Sequence, residues 1–508
     1  MNTETTLKSN NLEADIVIVG GGGAGLASAV AAAELKASVI VLEKRRVLGG
    51  NANIIEAITA SESPVQKRDG FDVTNDYLFE KSMAYCRWDC NPRVVRALIN
   101  KSGDTIRWLE EKGIRFNLHP IWPSQDPNNW HEVIGPGTET AWLSGSGELT
   151  RVLVKNCEEL GVKLLCETSA KKILTGTGGK VTGVLAATED GKELEVKAKS
   201  VIIATGGYAA NKEMLKKHPY YHESMVSRGL PHEGDGIRMT TEIGADTEGI
   251  GEMALVGPCP PASRHKASIT LNTGDVTQQV SLIAVVQEAC TIWVNKQGKR
   301  FCDEGFSFNH YDTSIPILRQ PEMLSFTLFD TDILKGMIKN GFYVGLSLCG
   351  EGWARQRAGN LIGLESELRR LADTTDLVKI ADSWDEIAQW MGAKPEVLKA
   401  TIDEYNAACE QGYDPDFLKD RRWLQTMTSP PYYALRATVG ILHTCGGIKI
   451  DEHMQVIDKQ GNPIPGLYAA GDETGGWEKV APSYHLSGVG IALPGGRIAA
   501  ENAVKYSS

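Results

Sequence analysis

Short apolar runs alternate with glycine-rich and alanine-rich stretches near the start of the chain. Asp15–Gly20 reads DIVIVG, Ser38–Lys44 reads SVIVLEK, and GGGAGLASAVAAAEL lies between them. Apolar runs of this length predict buried strands, and the segment between them predicts a glycine turn that opens a helix. A strand–helix–strand unit of about 30 residues predicts the beginning of a doubly wound parallel sheet.

The pattern further along the chain predicts more elements of both kinds. Residues 75–115 have a helical period, and WLEEKG ends one helix on a glycine. Residues 116–146 are rich in Pro, Trp and Asn and predict a long loop. ELTRVLVKNCEELG predicts another helix, and residues 163–203 predict a run of strands with tight turns.

The residue pattern changes between residues 244 and 430, where it predicts short strands, interrupted by prolines, and two amphipathic helices. IKIDEHMQVID and GLYAAGD then return to the earlier strand-rich pattern. We therefore predict an α/β fold in which a doubly wound, Rossmann-like domain is interrupted by an α+β capping domain. The predicted boundaries are 1–245 and 431–508 for the two parts of the first domain, and 246–430 for the capping domain.

Composition and charge narrow the class of protein. The 508 residues include 53 Lys and Arg against 64 Asp and Glu, a net charge of -11, so nucleic acid is not expected as a partner. The first fifteen residues resemble no secretory signal, and no apolar run reaches 18 residues, so we expect a cytoplasmic protein without a membrane span. The ten cysteines form no CxxC pair, and Cys86 and Cys90 lack a second pair, so we expect reduced thiols and no metal site.

The glycine turn after the first strand carries a nucleotide-binding pattern. Gly20, Gly22 and Gly25 satisfy G-x-G-x-x-G between a strand and a helix, and Glu43 lies at the end of the next strand. The glycines let the backbone approach a pyrophosphate at a helix N-terminus, and a carboxylate at this distance can accept both ribose hydroxyls. The sequence therefore predicts a dinucleotide site here.

Two later strands end in small residues and favour FAD over NAD. Val201–Tyr208 reads VIIATGGY, and Gly466–Gly476 reads GLYAAGDETGG, with Gly471 and Asp472 at the strand end. Small residues at strand ends permit close approach of a large flat cofactor, and an aspartate there can bind ribitol or phosphate oxygens. No second dinucleotide fingerprint is visible, so electrons must pass to or from a separate donor or acceptor.

Segments along nearly the whole chain carry a family resemblance: GGGGAGLASA, EKRRVLGGNA, IIATGGYAANKEML, GDGIRM, VNKQGKRFCDE, HTCGGIKID and PGLYAAGDETGG. In this order they resemble the fumarate reductase / succinate dehydrogenase flavoprotein family, which also includes the 3-ketosteroid dehydrogenases. The resemblance implies an FAD domain and a capping domain with the active site between them. No His follows Gly50 where the succinate dehydrogenase subunit attaches its flavin, which implies non-covalent FAD. The residues implied to line FAD are Gly20, Gly22, Gly25, Glu43, Lys44, Gly50, Asn51, Ala204, Thr205, Gly206, Gly471 and Asp472.

The substrate side departs from the fumarate reductase pattern, in which His and Arg hold two carboxylates and another Arg donates the proton. His443 in HTCGGI matches the family's HTMGG. Phe308 stands at the proton-donating position with Tyr311 close by, and SYHLSGVG replaces the Arg-containing N-R-L-G-G. Ketosteroid dehydrogenases place tyrosines near these two positions. The resemblance thus implies four catalytic residues: Tyr484, His443, Tyr311 and His485. The alternative for each is an ordinary packed or surface side chain. Gly488 and Gly490 are expected to open the helix that faces the flavin.

These departures favour a substrate other than a dicarboxylate. Stripping water from a dicarboxylate without arginine partners costs several kcal/mol, whereas a tyrosine can bind a ketone oxygen at little cost. We expect an FAD enzyme that interconverts a carbon–carbon single and double bond next to a carbonyl, with a hydride passing through flavin N5 and a proton through Tyr or His. The alternatives are a fumarate-type dicarboxylate reductase using an arginine such as Arg436, and a non-catalytic FAD subunit of an electron-transfer complex.

Overall fold

A computed structural model describes residues 11–54, 57–119, 130–134, 147–262, 268–273, 276–308, 313–342, 361–478 and 488–508. The strands are β1 Asn11–Val19, β2 Val39–Leu42, β3 Ala57–Thr59, β4 Arg115–His119, β5 Trp130–Ile134, β6 Lys163–Leu165, β7 Thr168–Thr175, β8 Val181–Thr188, β9 Glu193–Ile203, β10 Val226–Ser227, β11 Thr247–Glu248, β12 Met253–Cys259, β13 Ser268–Thr273, β14 Val276–Ser281, β15 Ile292–Asn295, β16 Leu324–Asp330, β17 Val378–Ala381, β18 Tyr432–Thr444, β19 Gly447–Ile448, β20 Gln455–Ile457 and β21 Pro463–Ala469. The helices are α1 Gly23–Glu34, α2 Pro64–Arg68, α3 Asn75–Tyr85, α4 Pro92–Glu111, α5 Glu148–Glu159, α6 Lys212–Leu215, α7 Asp235–Glu242, α8 Ile283–Val286, α9 Ser314–Leu318, α10 Thr331–Asn340, α11 Leu364–Thr374, α12 Trp384–Met391, α13 Pro395–Gln411 and α14 Gly488–Ser507.

The largest sheet has the order β20-β21-β9-β1-β2-β6, and β8 and β7 extend it from β9. Strands β1, β2, β6, β9 and β21 run parallel, with Ile16 of β1 paired to Val39 on one side and to Ser200 on the other. Helices α1 and α14 pack against each other beside this sheet. Because parallel strands end at the same edge, the ends of β1, β2, β9 and β21 meet there.

Ile16, Val17, Ile18 and Val19 of β1 are buried on both faces of the sheet, which explains why IVIV has no polar alternation. Helix α1 is also buried almost throughout, because its alanines let it lie close to β1 and to α14. The prediction of a doubly wound α/β domain from this unit is therefore confirmed.

A second sheet has the order β10-β18-β16-β15, and β12 and β17 also pair with β18. Residues from Ile269 to Ala437 form a second hydrophobic cluster, separate from the one around the parallel sheet. Strand β18 links the two, since Tyr433 packs in the second cluster and Ile441 packs in the first. The additional sheet agrees with an inserted α+β part, while the three predicted domain boundaries stay predictions.

The loop predicted over residues 116–146 is wrong in part. Strands β4 and β5 pair there in antiparallel fashion, and β3 pairs with β5. Trp130 and Val133 of β5 are buried, so these two side chains pack in the interior. The predicted helices are confirmed by α5, α11 and α13. The helical stretch over residues 75–115 is divided into α3 and α4 by residues 86–91, and the segment 115–119 beyond it forms β4.

Within the described residues, no helix is both long enough and apolar enough to cross a membrane.

Candidate active site

The glycine turn between β1 and α1 requires glycine at two positions for steric reasons. Gly20 has a φ of +110°, and a Cβ there would lie 2.1 Å from the carbonyl oxygen of Ala204. A Cβ at Gly25 would lie 1.9 Å from the carbonyl oxygen of Gly20. The two glycines therefore let the ends of β1, β9 and the start of α1 approach each other closely.

The N-terminus of α1 is open toward the edge where the strands end. Gly22 is the N-cap of α1, no side chain caps the helix, and a Cβ on Gly22 would meet no protein atom within 4 Å. Gly50 approaches from the other side, since its Cβ would lie 3.3 Å from the Cα of Gly22. Uncapped N–H groups at the start of a helix are donors suited to a pyrophosphate.

Glu43 follows β2 and is held by the backbone beside this turn. Its Oε2 accepts a hydrogen bond from the Gly21 N–H at 2.8 Å, and its Oε1 accepts one from the Arg45 N–H at 2.8 Å. Each carboxylate oxygen can accept a further bond, which suits ribose hydroxyls. The neighbouring Lys44 pairs with Asp235 at 2.6 Å, and both side chains are about one-third exposed.

Asn51 connects the turn to the segment before α7. Its Oδ1 accepts a hydrogen bond from the Leu230 N–H at 2.8 Å. Thr205, after β9, accepts one from the Gly236 N–H at 3.2 Å. These bonds fix the chain on both sides of the strand ends, where FAD-lining residues were expected.

Glu473, which the sequence did not single out, lies behind the ends of β9 and β21. Its Oε2 accepts a hydrogen bond from the Gly206 N–H at 3.1 Å, and its Oε1 is buried without a partner among the described residues. Burial and the nearby charge of Asp472 raise the pKa of Glu473 well above its usual range, although backbone N–H groups act in the opposite direction. A neutral carboxyl group behind Gly206 adds no negative charge next to a phosphate.

The residues around the strand ends fit FAD. A Cβ on Gly22 would enter open space, no side chain caps the N–H groups of α1, and the Glu43 carboxylate lies beside the turn. The neighbouring ends of β9 and β21 carry the small residues Ala204, Gly206 and Gly471. This donor set matches the phosphates, the ribose and the flat ring of a flavin dinucleotide.

His443 lies near the end of β18 and is buried among aromatic and acidic groups. Its Nε2 is 3.2 Å from Glu478 Oε2, and its ring stacks on Trp477 with the centroids 5.8 Å apart. Burial alone lowers the pKa of His443, but the hydrogen bond to Glu478 and the charges of Asp472 and Glu478 outweigh it and raise the pKa. The contact with Glu478 therefore favours the protonated form of His443 over that of an unpaired buried imidazole.

Gly488 lies close to His443 and to Asp472, a residue predicted to line FAD. A Cβ on Gly488, the first residue of α14, would lie 3.1 Å from Asp472 Oδ1 and 3.8 Å from His443 Nδ1. Gly490, two residues further along α14, is buried. Asp472 and His443, which were predicted for FAD and for substrate respectively, therefore lie beside the same glycine.

Cys445 follows β18 and lies beside the same glutamate. Its Sγ is 3.8 Å from Glu478 Oε2, and the ligand atoms of His443, Cys445 and Glu478 all lie within 4.8 Å of one another. We call these three residues the His–Cys–Glu cluster. Burial, followed by the charge of Glu478, raises the pKa of the Cys445 thiol well above its usual range.

The remaining members of the predicted catalytic set lie outside the described residues: Tyr311, Tyr484 and His485. Their roles stay predictions. The sequence also missed Glu478, Trp477 and Cys445 as neighbours of His443. Glu478 stands 35 positions after His443, so only the fold brings them together. The one available signal was that Trp477 and Glu478 directly follow the glycine pair of DETGG.

Comparisons with known proteins agree with this geometry. A family model described as FAD binding domain matches residues 15–491. The vinyl phenol reductase of Lactiplantibacillus plantarum is 29% identical over 505 residues, which cover 97% of this chain and 97% of that protein.

Two solved structures have a similar fold. The open conformation of a flavocytochrome c3 fumarate reductase is 26% identical, with a TM-score of 0.73, and covers 98% of this chain and 79% of that one. The 3-ketosteroid delta1-dehydrogenase from Sterolibacterium denitrificans has a TM-score of 0.77 and covers 98% and 100% of the two chains. At 18% identity, this second likeness concerns the fold alone.

Proposed function

This chain belongs to the FAD binding domain family, among FAD-dependent oxidoreductases that act on CH–CH bonds. From that premise we propose that it reduces a conjugated alkene that carries at most one carboxylate. The preferred substrate is a neutral or singly charged enone or enoate, in which the double bond lies next to a carbonyl group. The reverse reaction, introduction of the double bond, uses the same groups.

The observation that carries the proposal is the pairing of His443 with carboxylates. Glu478 Oε2 lies 3.2 Å from His443 Nε2, and the charges of Glu478 and Asp472 help to raise the pKa of the imidazole. A dicarboxylate entering here would bring two more negative charges to a site whose cation is paired, and burying uncompensated charge is costly. A substrate with one polar oxygen places no such demand on the site.

Arg436, the arginine considered for a dicarboxylate, is engaged elsewhere. Its Nη1 pairs with Asp376 Oδ2 at 2.6 Å, and its guanidinium lies 5.0 Å from the Trp390 ring centroid. Arg436 and His443 stand seven residues apart on β18, which at the rise of a strand separates them by roughly 23 Å. This separation disfavours the fumarate-type alternative in the form that uses Arg436.

FAD, when bound, supplies the hydride equivalent at N5. The chain itself contributes His443, whose imidazolium charge stabilises the negative charge that develops on the substrate oxygen. Glu478 orients the imidazole and keeps its proton, while Trp477 fixes the plane of the ring. Tyr484, Tyr311 and His485 remain the candidates for proton transfer to carbon.

A hydroxystyrene is the second candidate substrate. The observation that favours it is the vinyl phenol reductase relative, which matches this chain over 97% of both lengths. A phenolic oxygen conjugated to the double bond would occupy the place of the carbonyl oxygen beside His443.

The test is an anaerobic panel on the reduced holoenzyme. Enones, ketosteroids, monocarboxylic enoates, a 4-hydroxystyrene and fumarate are added separately, and reoxidation of the flavin is followed by absorbance. We expect rapid reoxidation by at least one neutral or singly charged alkene and slow reoxidation by fumarate. Rapid reoxidation by fumarate would contradict the proposal, and no reoxidation by any alkene would favour the non-catalytic subunit.

Two further parts of the proposal concern the cofactor and its electrons. We propose that FAD is held without a covalent bond, and acid precipitation should release it into the supernatant. We also propose a separate electron donor, so that NADH alone should not reduce the flavin of the purified chain.

A further inference from the structure

The His–Cys–Glu cluster has the dimensions of a metal site. His443 Nε2 lies 3.2 Å from Glu478 Oε2, and Cys445 Sγ lies 3.8 Å from the same oxygen. Zinc bonds of about 2.0 Å to nitrogen and oxygen and about 2.3 Å to sulfur give tetrahedral edges of roughly 3.3–3.6 Å. All three ligand atoms lie within 4.8 Å of one another, so a side-chain shift of roughly 1 Å closes the longest separation to such an edge.

We propose that His443, Cys445 and Glu478 form a zinc-binding site, and that the bound ion inhibits the enzyme by occupying His443. Imidazole, thiolate and carboxylate are the ligand types that Zn²⁺ takes in proteins, and three protein ligands leave a fourth position for water. Binding releases the thiol proton of Cys445 and any proton on His443 Nε2 to water, and the resulting thiolate and the Glu478 carboxylate balance the two charges of the ion, which matters because the three side chains are buried. The inhibitory part of this proposal rests on the proposed function, and the binding part does not.

The surroundings of His443 resemble those of a metal ligand. An imidazole that binds a metal through one nitrogen generally donates its other N–H to a carboxylate, carbonyl or water. Asp472 lies on the Nδ1 side of His443, where both side chains approach Gly488. Trp477, stacked on the ring, holds the Nε2 direction toward Glu478 and Cys445.

One ligand of this site, Cys445, is a residue at which the chain departs from the family motif. Cys445 stands where the motif HTMGG has Met, and a thioether would not provide an anionic ligand. The sequence predicted no metal site because the three ligands are separated by 2 and 33 positions, a spacing that belongs to no short metal motif.

The binding experiment uses the FAD-loaded protein after removal of metals with a chelator. Zn²⁺ is titrated against a chromophoric chelator, and we expect one equivalent bound with a Kd below about 1 µM. Cys445→Ser should weaken binding by about 10-fold or more, whereas Cys157→Ala, which changes a buried thiol in α5, should bind like the wild type. Absence of binding, or equal binding by Cys445→Ser, would overturn the proposal.

Cobalt provides a second measurement that does not depend on turnover. Co²⁺ in a tetrahedral site with a thiolate ligand should give visible bands at longer wavelength than the flavin, and Cys445→Ser should lose their intensity. For inhibition, each variant is compared with its own zinc-free rate. Zinc should inhibit the wild type and Cys157→Ala, and a wild type that binds one equivalent without losing turnover would refute the inhibitory role.

If no alkene is turned over, the proposed function fails while the zinc stoichiometry and the cobalt spectrum can still be read.

Discussion

Two clusters of charged side chains are buried, one around His443 and one around Glu304, and they contain different basic residues. Glu304 is fully buried and accepts hydrogen bonds from Arg300 at 2.9 and 3.0 Å. It also forms an ion pair with Lys419 at 3.1 Å, and Asp414 accepts a third hydrogen bond from Arg300. In the other cluster, the group that can be cationic beside Glu478 and Asp472 is His443, and its imidazole can lose its proton.

The difference between the two clusters lies in charge balance and in the ability to titrate. The Glu304 cluster has two basic groups, Arg300 and Lys419, for two acidic ones, Glu304 and Asp414. Its arginine does not deprotonate in proteins. The His443 group has more carboxylates than cations and includes a histidine, which is the side chain that changes charge near neutral pH. The first arrangement suits a permanent structural contact, and the second suits chemistry or ion binding.

The largest effect is expected from breaking the Glu304 cluster. Glu304→Gln leaves Arg300 and Lys419 with too little negative charge in a buried place, and we expect the free energy of unfolding to fall by about 3–5 kcal/mol. Burial alone raises the pKa of Glu304, but Lys419 and Arg300 outweigh it and lower the pKa. The stability it contributes is therefore present above the unfolded pKa and lost as pH falls through the folded pKa.

Chemical denaturation of the holoenzyme at neutral and acidic pH measures this contribution. Glu322→Gln, in an exposed pair with Lys296, is the matched control and should change the free energy of unfolding little. An equal effect of the two substitutions would contradict the structural role assigned to the buried cluster.

Replacing His443 should affect turnover and leave the fold intact. We expect His443→Gln to lower kcat by about 10²–10³-fold, because a charge aimed at a developing oxyanion is lost. Steady-state turnover and the ratio of flavin to protein absorbance provide the measurement. His218→Gln, which alters another buried histidine, beside Glu252, is the control. Near-normal turnover of His443→Gln would remove His443 from the mechanism.

Glu478 should have a smaller effect that depends on pH. Glu478→Gln removes the hydrogen bond and charge that help to raise the pKa of His443, so the loss of activity with rising pH should begin at a lower pH. We expect kcat at neutral pH to fall about 10-fold, which corresponds to about 1.4 kcal/mol. The measurement is the pH profile of kcat. A lower rate with an unshifted profile would show that Glu478 acts only through packing.

Much of the fold was predictable because local patterns agree with the tertiary structure. The apolar runs of β1 and β2 are buried on both faces, and the glycines of the first turn stand where a Cβ would collide with backbone. Strands β4 and β5 were missed because Pro, Trp and Asn suggested a loop, whereas burial of Trp130 and Val133 decides the pairing. Tertiary packing overrode the local composition in that segment.

The candidate site was less predictable than the cofactor cradle. His443 could be found because its motif is local, and Glu43 because its distance from the glycines follows from a strand–helix–strand unit. Glu478 and Glu473 carry no such signal, since a single glutamate after a glycine-rich strand end usually lies in solvent. What distinguishes these two glutamates is burial, which depends on segments far apart in the chain.

The smallest effect is expected at the ion pair between Arg436, within β18, and the exposed Asp376. Asp376 is 73% exposed and Arg436 is 26% exposed, so water screens their attraction. Asp376→Asn should lower the free energy of unfolding by at most about 1 kcal/mol and leave kcat unchanged. A large loss of turnover with fumarate would instead connect Arg436 to substrate binding and revive the dicarboxylate alternative. If only a small change in stability follows, the ionic contact at Arg436 has little energetic weight, and His443 stays the residue of β18 to which the proposed function assigns a charge.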